Sequence, residues 1–363
     1  MKKALIALLM VFLLVTGTVF AGGRRDAAGG NTNRVGISMP TQSAERWVIE
    51  GNFMVEELQK MGHETILQFG EDIVGTQVSQ IENMLARGVD VLIITPIDGG
   101  ALNSVLQRAK RAGVVIIAYD RLLTDTQHVD YYMTFDSLAI GNLMGSAIVD
   151  GLDLRNAAGP FNVELFAGSL DDNNTVFYFD GGVEMLKPYI DSGKVVIKSG
   201  QTTLAQAATL GWAAEVAQAR MDNILAAHYA DGSRVHAILS PYDGLSIGII
   251  SSLRAVGYGT AARPWPVITG QDAELPSVRA ILAGEQYATV LLDYFSLALG
   301  AITIANEYMS GSPISVINKP DYYNNGVKVV PAYAINAMTV TRTNVVQEAE
   351  RIGLWTRAEM MGN

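Results

Sequence analysis

Six apolar runs in this chain stop on an aspartate, at Asp98, Asp120, Asp136, Asp243, Asp272 and Asp293. Around them stand Arg46 and Arg121, the amides Asn173, Asn174 and Gln271, and the flat side chains of Trp47, Phe177 and Trp212. Carboxylates only accept hydrogen bonds, guanidinium groups only donate them, and amides do both. A ring with hydroxyls on its rim and C–H groups on its faces, such as a pyranose, asks for that mixture. Each hydroxyl can donate to a carboxylate while accepting from an arginine or amide, at roughly 1.5 to 3 kcal/mol per hydrogen bond to a charged group. An indole can cover the ring face at little entropic cost. A single aspartate of this kind is ordinarily a helix cap or turn residue; the recurrence argues for a ligand-facing set. In "VVIIAYDRLL", residues 114–123, the pair Asp120 and Arg121 follows a buried strand directly and reads as a two-residue clamp.

These residues need elements to place them. From Arg34 onward, short apolar runs ("RVGISM", "TILQF", "VLIIT", "VVIIAY", "YYMTF") alternate with segments whose apolar residues recur at three and four, such as Val78, Ile81, Leu85 and Leu102, Val105, Leu106, Ala109. Gly62, Gly88 and Gly113 stand between a helical pattern and the next strand, where a left-handed cap favours a residue without a Cβ. A second series follows: "FNVELFAG", "KVVIKSG", "VHAILSPYDG", "PVITGQDA" and "YATVLLD". Continuous apolar strands are covered on both faces, which predicts parallel sheets flanked by helices. Two such sheets are the economical reading, with "GLDLRNAAGP" at 151–160 the clearest composition break between them. Ligands of parallel α/β sheets lie beyond the carboxyl ends of the strands, so two facing edges would make a polar cleft.

With 363 residues, 49% of them hydrophobic and 17% charged, the chain can bury more than one core. A formal charge of −10 repels phosphate backbones and anionic lipid, which argues against nucleic-acid or membrane-surface binding. Residues 1–21 read as an export signal: Lys2 and Lys3, the stretch "ALIALLMVFLLV", then Val19 and Ala21 at a cleavage site. The apolar run is shorter than the roughly 20 residues of a membrane span. Removal of the two lysines takes the charge to −12. Without cysteine the chain has neither disulfides nor a lipidated cysteine anchor. Residues 22–33, "GGRRDAAGGNTN", read as a flexible leader.

The stretches "TQSAERW", "SQIENML", "IAYDRLL", "TFDS", "ELFAGSLDDNN", "LKPYIDSGK", "ARMDNIL", "SPYDGLSIGIISSL", "GQDAELPSV" and "NNGVKVVP" carry a family likeness over about residues 34–345. Together they resemble the periplasmic multiple-sugar-binding proteins of the ChvE type, close to the xylose-binding proteins of ABC transporters. The resemblance implies an α/β type I periplasmic binding protein fold, with two doubly wound parallel-sheet lobes joined by three hinge crossovers and closing on a monosaccharide. The crossovers are expected near residue 136, Asp293 and Pro320. That gives an N-lobe of 34–136 plus 294–320 and a C-lobe of 137–293 plus 321–363. It further implies the sugar contacts Arg46, Trp47, Asp120, Arg121 and Asp136 from the first lobe. From the second come Asn174, Trp212, Asp243 and Asp272, with Phe177 and Gln271 as further candidates. The implied partners are the permease of an ABC importer and, as for some family members, a sensor kinase or chemoreceptor. A periplasmic monomer without cofactor or metal is expected.

The chain departs from the family pattern twice. Leu292 stands where a lysine usually precedes the aspartate of "YATVLLD", and Gly211 where an arginine often precedes the tryptophan. Fewer cations near the cleft favour neutral aldoses over sugar acids, because a buried carboxylate needs compensating charge.

Other motifs carry less. "GYGTAA" at 257–262 follows a helical pattern instead of a strand and reads as a turn. "DDNN" lacks the glycine and later glutamate of a calcium loop, and the four histidines lack metal-ligand spacing. "NNT" at 173–175 matches a glycosylation acceptor in form only. Paired carboxylates could hydrolyse glycosides, but carboxylates balanced by arginines and amides stay ionised and bind. A sugar-responsive repressor would need a DNA-binding helix-turn-helix where this chain has its signal and leader.

Overall fold

The computed structural model describes residues 33–362, so the expected signal segment and leader residues 22–32 lie outside it. The first lobe alternates strand and helix: β1 (Arg34–Met39), α1 (Glu45–Lys60), β2 (Glu64–Phe69), α2 (Val74–Ala86), β3 (Val91–Ile94), α3 (Asn103–Arg111), β4 (Val115–Tyr119) and β5 (Tyr131–Phe135). Every residue of β3 and β4 is buried, as expected of strands with helices on both faces. Gly62, Gly88 and Gly113 adopt φ of 88°, 73° and 81°, the left-handed turn that lets each helix end and the next strand begin. The five strands pair in parallel in the order β2-β1-β3-β4-β5. The order reverses at β1, the switch point beyond which a crevice opens at the carboxyl ends.

The chain leaves this lobe at Asp136. It continues as α4 (Ser137–Gly151), β6 (Phe161–Leu165), α5 (Asn174–Asp191), β7 (Val195–Val196), α6 (Leu204–Ala207), α7 (Ala214–His228), β8 (Ala237–Leu239), α8 (Asp243–Ala255), β9 (Val267–Ile268), α9 (Leu275–Ala283) and β10 (Ala288–Leu291). The second sheet has the parallel order β7-β6-β8-β9, and a bridge between Gln271 and Val290 sets β10 beside the chain leaving β9. The composition break at 151–160 therefore joins α4 to β6 inside the second lobe. α4 and α5 touch through glycines: a Cβ on Gly141 would lie 2.5 Å from the Tyr178 carbonyl, and one on Gly181 2.5 Å from that of Leu138. This close approach fixes the start of α5, and with it the loop that carries Asp172.

α10 (Tyr294–Ser310) returns to the first lobe and packs on α1, with Phe53 and Phe295 edge to face at 5.0 Å. The next strands correct the expected boundary. β11 (Lys319–Asn324) and β12 (Val329–Ile335) form an antiparallel hairpin, and β12 runs parallel to β5 at the edge of the first sheet. Residues 321–335 thus belong to the first lobe, and the third crossover falls between Ile335 and β13 (Met338–Thr341), which pairs with β10. The physical reason is the outer edge of β5, whose unpaired backbone groups take the next strand to reach them. A strand's own pattern does not say which lobe offers that edge. The tail, α11 (Val345–Arg351) and α12 (Arg357–Met361), packs on the second lobe: Arg279 Nε donates to Glu359 O at 3.1 Å, and Trp355 Nε1 to Ala273 O at 2.8 Å.

Candidate functional site

A cavity of about 380 Å³ lies between the carboxyl ends of the two sheets. The β1–α1 segment brings Thr41, Ser43, Arg46 and Trp47, the β2–α2 turn Asp72, and the end of β4 Asp120 and Arg121. The opposite wall comes from Asp172 and Tyr178 at the start of α5, Trp212 before α7, Tyr242 after β8, and Gln271, Asp272 and Glu274 after β9.

Arg46 organises the charges. It lies in the first turn of α1, so Glu50 one turn later sits beneath it, and Nε reaches Glu50 Oε1 at 2.8 Å. Nη2 reaches Asp120 Oδ2 of the same lobe at 2.8 Å, and Nη1 reaches Asp272 Oδ1 of the opposite lobe at 3.2 Å. Tyr119 donates its hydroxyl to Glu50 from below. A second ion pair crosses the cleft: Arg121 Nε is 2.8 Å from Asp172 Oδ2, with its N–H directed off the oxygen, so the contact is coulombic only. Leu122 N also donates to Asn173 Oδ1 at 3.1 Å, and Asn174 Nδ2 to Asp120 O at 3.1 Å. The lobes therefore meet in a closed arrangement.

Burial pushes the carboxyls of Asp272 and Asp172 up from their ordinary range, and Arg46 and Arg121 partly oppose this. Glu50 is pushed up to about 7 by burial against the pull of Arg46. Glu274 is pushed up to about 7 by burial and then by the charge of Asp272; it accepts from Tyr242 OH at 2.7 Å. For Arg46, burial opposes the charge, but Asp120, Asp272 and Glu50 outweigh it and hold the guanidinium protonated.

The backbone is bent to present these groups. Asp120 has φ 60°, Asp272 φ 98° and Trp212 φ 54°, a region that a bulky residue rarely occupies. The Asp120 carbonyl is held by Tyr132 OH at 2.8 Å, Thr134 Oγ1 at 3.2 Å and Asn174 Nδ2 at 3.1 Å. Tyr294 donates its hydroxyl to the Asp272 carbonyl. The Trp212 indole lies against Gly168, where a Cβ would come within 2.1 Å of the ring, and Tyr178 and Tyr242 meet it edge-on at 6.4 and 6.1 Å. Among the described residues, three buried polar atoms of the cavity wall lack a hydrogen-bond partner: the donors Arg121 Nε, which has only its ion pair with Asp172, and Trp212 Nε1, and the acceptor Gln271 Oε1.

Of the residues expected from sequence, Arg46, Trp47, Asp120, Arg121, Trp212, Gln271 and Asp272 line this cavity. The expectation that Asp136, Asn174, Phe177 and Asp243 face it is corrected. Asp136 caps α4, accepting from Ala139 N at 3.1 Å, because a helix starts immediately after β5. Asn174 is buried between the lobes, paired with Ser137 Oγ at 3.1 Å and the Asp120 carbonyl. Phe177 projects from α5 with 43% exposure. Asp243 is wholly buried, held by Gln286 Nε2 at 2.9 Å and Glu274 N at 3.0 Å, and burial pushes its carboxyl well up. Asp98 closes a turn onto Gly100 N, and Asp293 caps α10. Sequence reasoning missed Asp72, Asp172, Tyr242 and Glu274. The last three lie within two positions of a chosen residue, in "DDNN", "SPYDG" and "QDAE"; a strand-end pattern locates the loop but not the rotation of each side chain.

Residues 35–313 match the model of the periplasmic binding protein domain family. The chain is 51% identical to the multiple sugar-binding periplasmic receptor ChvE of Rhizobium radiobacter, over 85% of this chain and 87% of that one. It is 32% identical to the D-xylose-binding periplasmic protein of Escherichia coli, over 92% and 94%. Among solved structures it resembles an ABC transporter solute-binding protein from Clostridium phytofermentans with bound β-D-glucose. That match has a TM-score of 0.86 and 38% identity, over 90% of this chain and 100% of that one.

Proposed function

The chain belongs to the periplasmic binding protein domain family, and from that premise we propose that it captures a neutral aldose between its two lobes and hands it to the permease of an ABC importer. The observation that carries this reading is the wall with unspent hydrogen-bonding groups. Trp212 Nε1 and Gln271 Oε1 are buried without partners beside an arginine–carboxylate set drawn from both lobes. A buried polar atom without a partner is costly, and a polyhydroxylated ring supplies donors and acceptors together. Trp47 and Trp212 offer flat faces to such a ring.

Capture proceeds by population shift. A sugar that touches Asp120 on one lobe and Asp272 on the other meets both only when they are closed, so its binding free energy favours that state. Micromolar affinity needs only about 8 kcal/mol net. The closed surface is what the permease distinguishes from the empty form, and a sensor kinase or chemoreceptor reads the same surface. Asp120 and Asp272 share Arg46, which supports their action as acceptors over a part in glycoside hydrolysis. Cleavage after Ala21 delivers the protein to the periplasm.

The test is isothermal titration of the refolded mature chain, free of carried-over ligand, against xylose, arabinose, glucose, galactose, fucose and galacturonate. Saturable one-to-one binding of a neutral aldose, lost in Asp120→Ala, is expected. No binding by any member of the set would leave the fold standing and overturn the ligand class.

A further inference from the structure

A second cavity, of about 580 Å³, lies outside the cleft and exceeds it in volume. It opens at the first crossover. Asp136–Leu138 line it where β5 passes into α4, Tyr322–Gly326 of the β11–β12 hairpin line it from the first lobe, and Asn173, Asn174, Val176 and Phe177 at the start of α5 from the second. The hydrogen bond from Leu122 N to Asn173 Oδ1 stands between the two cavities, since Arg121 and Asp172, one position back, face the sugar cleft.

Its chemistry differs from that of the cleft. Tyr323 meets Tyr132 edge to face at 5.1 Å and Tyr322 at 4.8 Å, and Phe177 and Tyr322 keep 43% and 58% of their surface exposed. Val176 and Leu138 extend the apolar surface, and exposed apolar residues gathered in one concavity mark a binding surface. No lysine or arginine lines it, whereas Asp125 and Asp136 do. Neither carboxylate is ion-paired among the described residues; Lys110 and Arg121 of the neighbouring segments are engaged by Asp130 and Asp172. The turn is shaped around Asp125: it holds φ 53°, its N–H donates to Asn325 O at 2.8 Å, and a Cβ on Gly326 would come within 2.8 Å of its carboxylate. Tyr322 already has an ammonium, Lys319 Nζ, over its ring at 5.3 Å from a residue that does not line the cavity.

We propose that this cavity binds a small organic cation, an amine or quaternary ammonium with an apolar body, whose charge is answered by Asp125 and Asp136 and whose body rests on Phe177 and the tyrosines. Aromatic faces attract cations through their ring quadrupole, and the exposed Asp125 and half-buried Asp136 carboxylates add direct charge. Carboxylates are the only charged groups that line it, which favours a cation over an anion. The volume falls in the usual range for small-ligand pockets, about 300 to 1,000 Å³.

The probe is benzyltrimethylammonium chloride, titrated calorimetrically at low salt into the refolded mature chain, with benzyl alcohol as the neutral control. One saturable site is expected, with benzyl alcohol at least about tenfold weaker. Asp125→Asn and Tyr322→Ala, both at the surface, should each weaken the cation by about fivefold or more while the melting temperature holds. Excess D-galactose should leave the cation in place. Absence of saturation up to about 10 mM, equal binding of benzyl alcohol, unchanged binding in both variants, or displacement by galactose would each overturn the proposal.

Discussion

Arg46 of the first lobe and Asp272 of the second face each other across the cleft at 3.2 Å, and the same guanidinium is 2.8 Å from Asp120 and 2.8 Å from Glu50. One side chain therefore ties the contact between the lobes to the cavity wall. Charges shared in this way are held at low entropic cost, because the planar guanidinium is already oriented by Glu50 before the lobes meet.

Asp272→Asn keeps the shape of the wall and removes the charge that faces Arg46, which retains Glu50 and Asp120. Loss of hydrogen bonds to a charged acceptor is worth roughly 1.5 to 3 kcal/mol, so sugar affinity should fall about 10- to 150-fold. Asp293→Asn changes another strand-end aspartate, but one that caps α10 and can be replaced in that role by asparagine. Its affinity should stay within about twofold. Titration of both variants decides the matter: equal affinities would mean that the Arg46–Asp272 contact is irrelevant to capture.

Gly168→Ala tests the stacking face. The added methyl would lie 2.1 Å from the Trp212 ring, so the indole must leave its place against the β6–α5 loop. Overpacking of this kind costs roughly 1 to 3 kcal/mol, and sugar binding should weaken by about tenfold or more. Tryptophan fluorescence should report the displaced indole. An unshifted spectrum with unchanged affinity would remove Trp212 from the ligand wall.

The alternation of buried strands and amphipathic helices was legible because both periods come directly from backbone geometry. The ends of β1, β4, β8 and β9 were legible for the same reason, and with them the loops bearing Arg46, Asp120 and Asp272. Two things were not. Whether an aspartate faces ligand or caps the next helix depends on when the helix begins: Asp136 caps α4, while Asp120 is separated from the next element by a left-handed turn. The hairpin of residues 319–335 also could not be assigned, because its partner edge on β5 lies about 200 residues earlier in the chain.

Part of the pH dependence of stability comes from Glu50 and Glu274, each raised from an ordinary 4.5 to about 7 by burial. A carboxyl whose folded pKa is raised binds its proton more tightly in the native state. Its contribution is complete below about 4.5 and is lost as pH rises through about 7. Glu50→Gln removes one of the two titrations and keeps a polar side chain beneath Arg46. Between pH 4.5 and 7 the ligand-free variant should lose less melting temperature than the unsubstituted protein. Parallel thermal melts across that window check it, and two curves of equal slope would show that Glu50 does not titrate there.

Galacturonate should bind at least about tenfold more weakly than galactose. The cavity's cations, Arg46 and Arg121, are engaged by Glu50, Asp120, Asp272 and Asp172, while Asp72 and Glu274 add further negative charge to the wall. Leu292 is fully buried, so the position where relatives are expected to hold a lysine supplies only packing. Gly211 has φ 62° and open space around its Cβ direction, and it too brings no charge. A sugar carboxylate would enter a desolvated site with no cation to spare, whereas the C6 hydroxyl of galactose can donate to an existing carboxylate. Competitive titration at pH 7 and low salt measures the ratio. Lowering the pH should narrow it, because protonation of Glu274 removes one of the repelling charges; a ratio near one at pH 7 would mean that an arginine is released to the ligand.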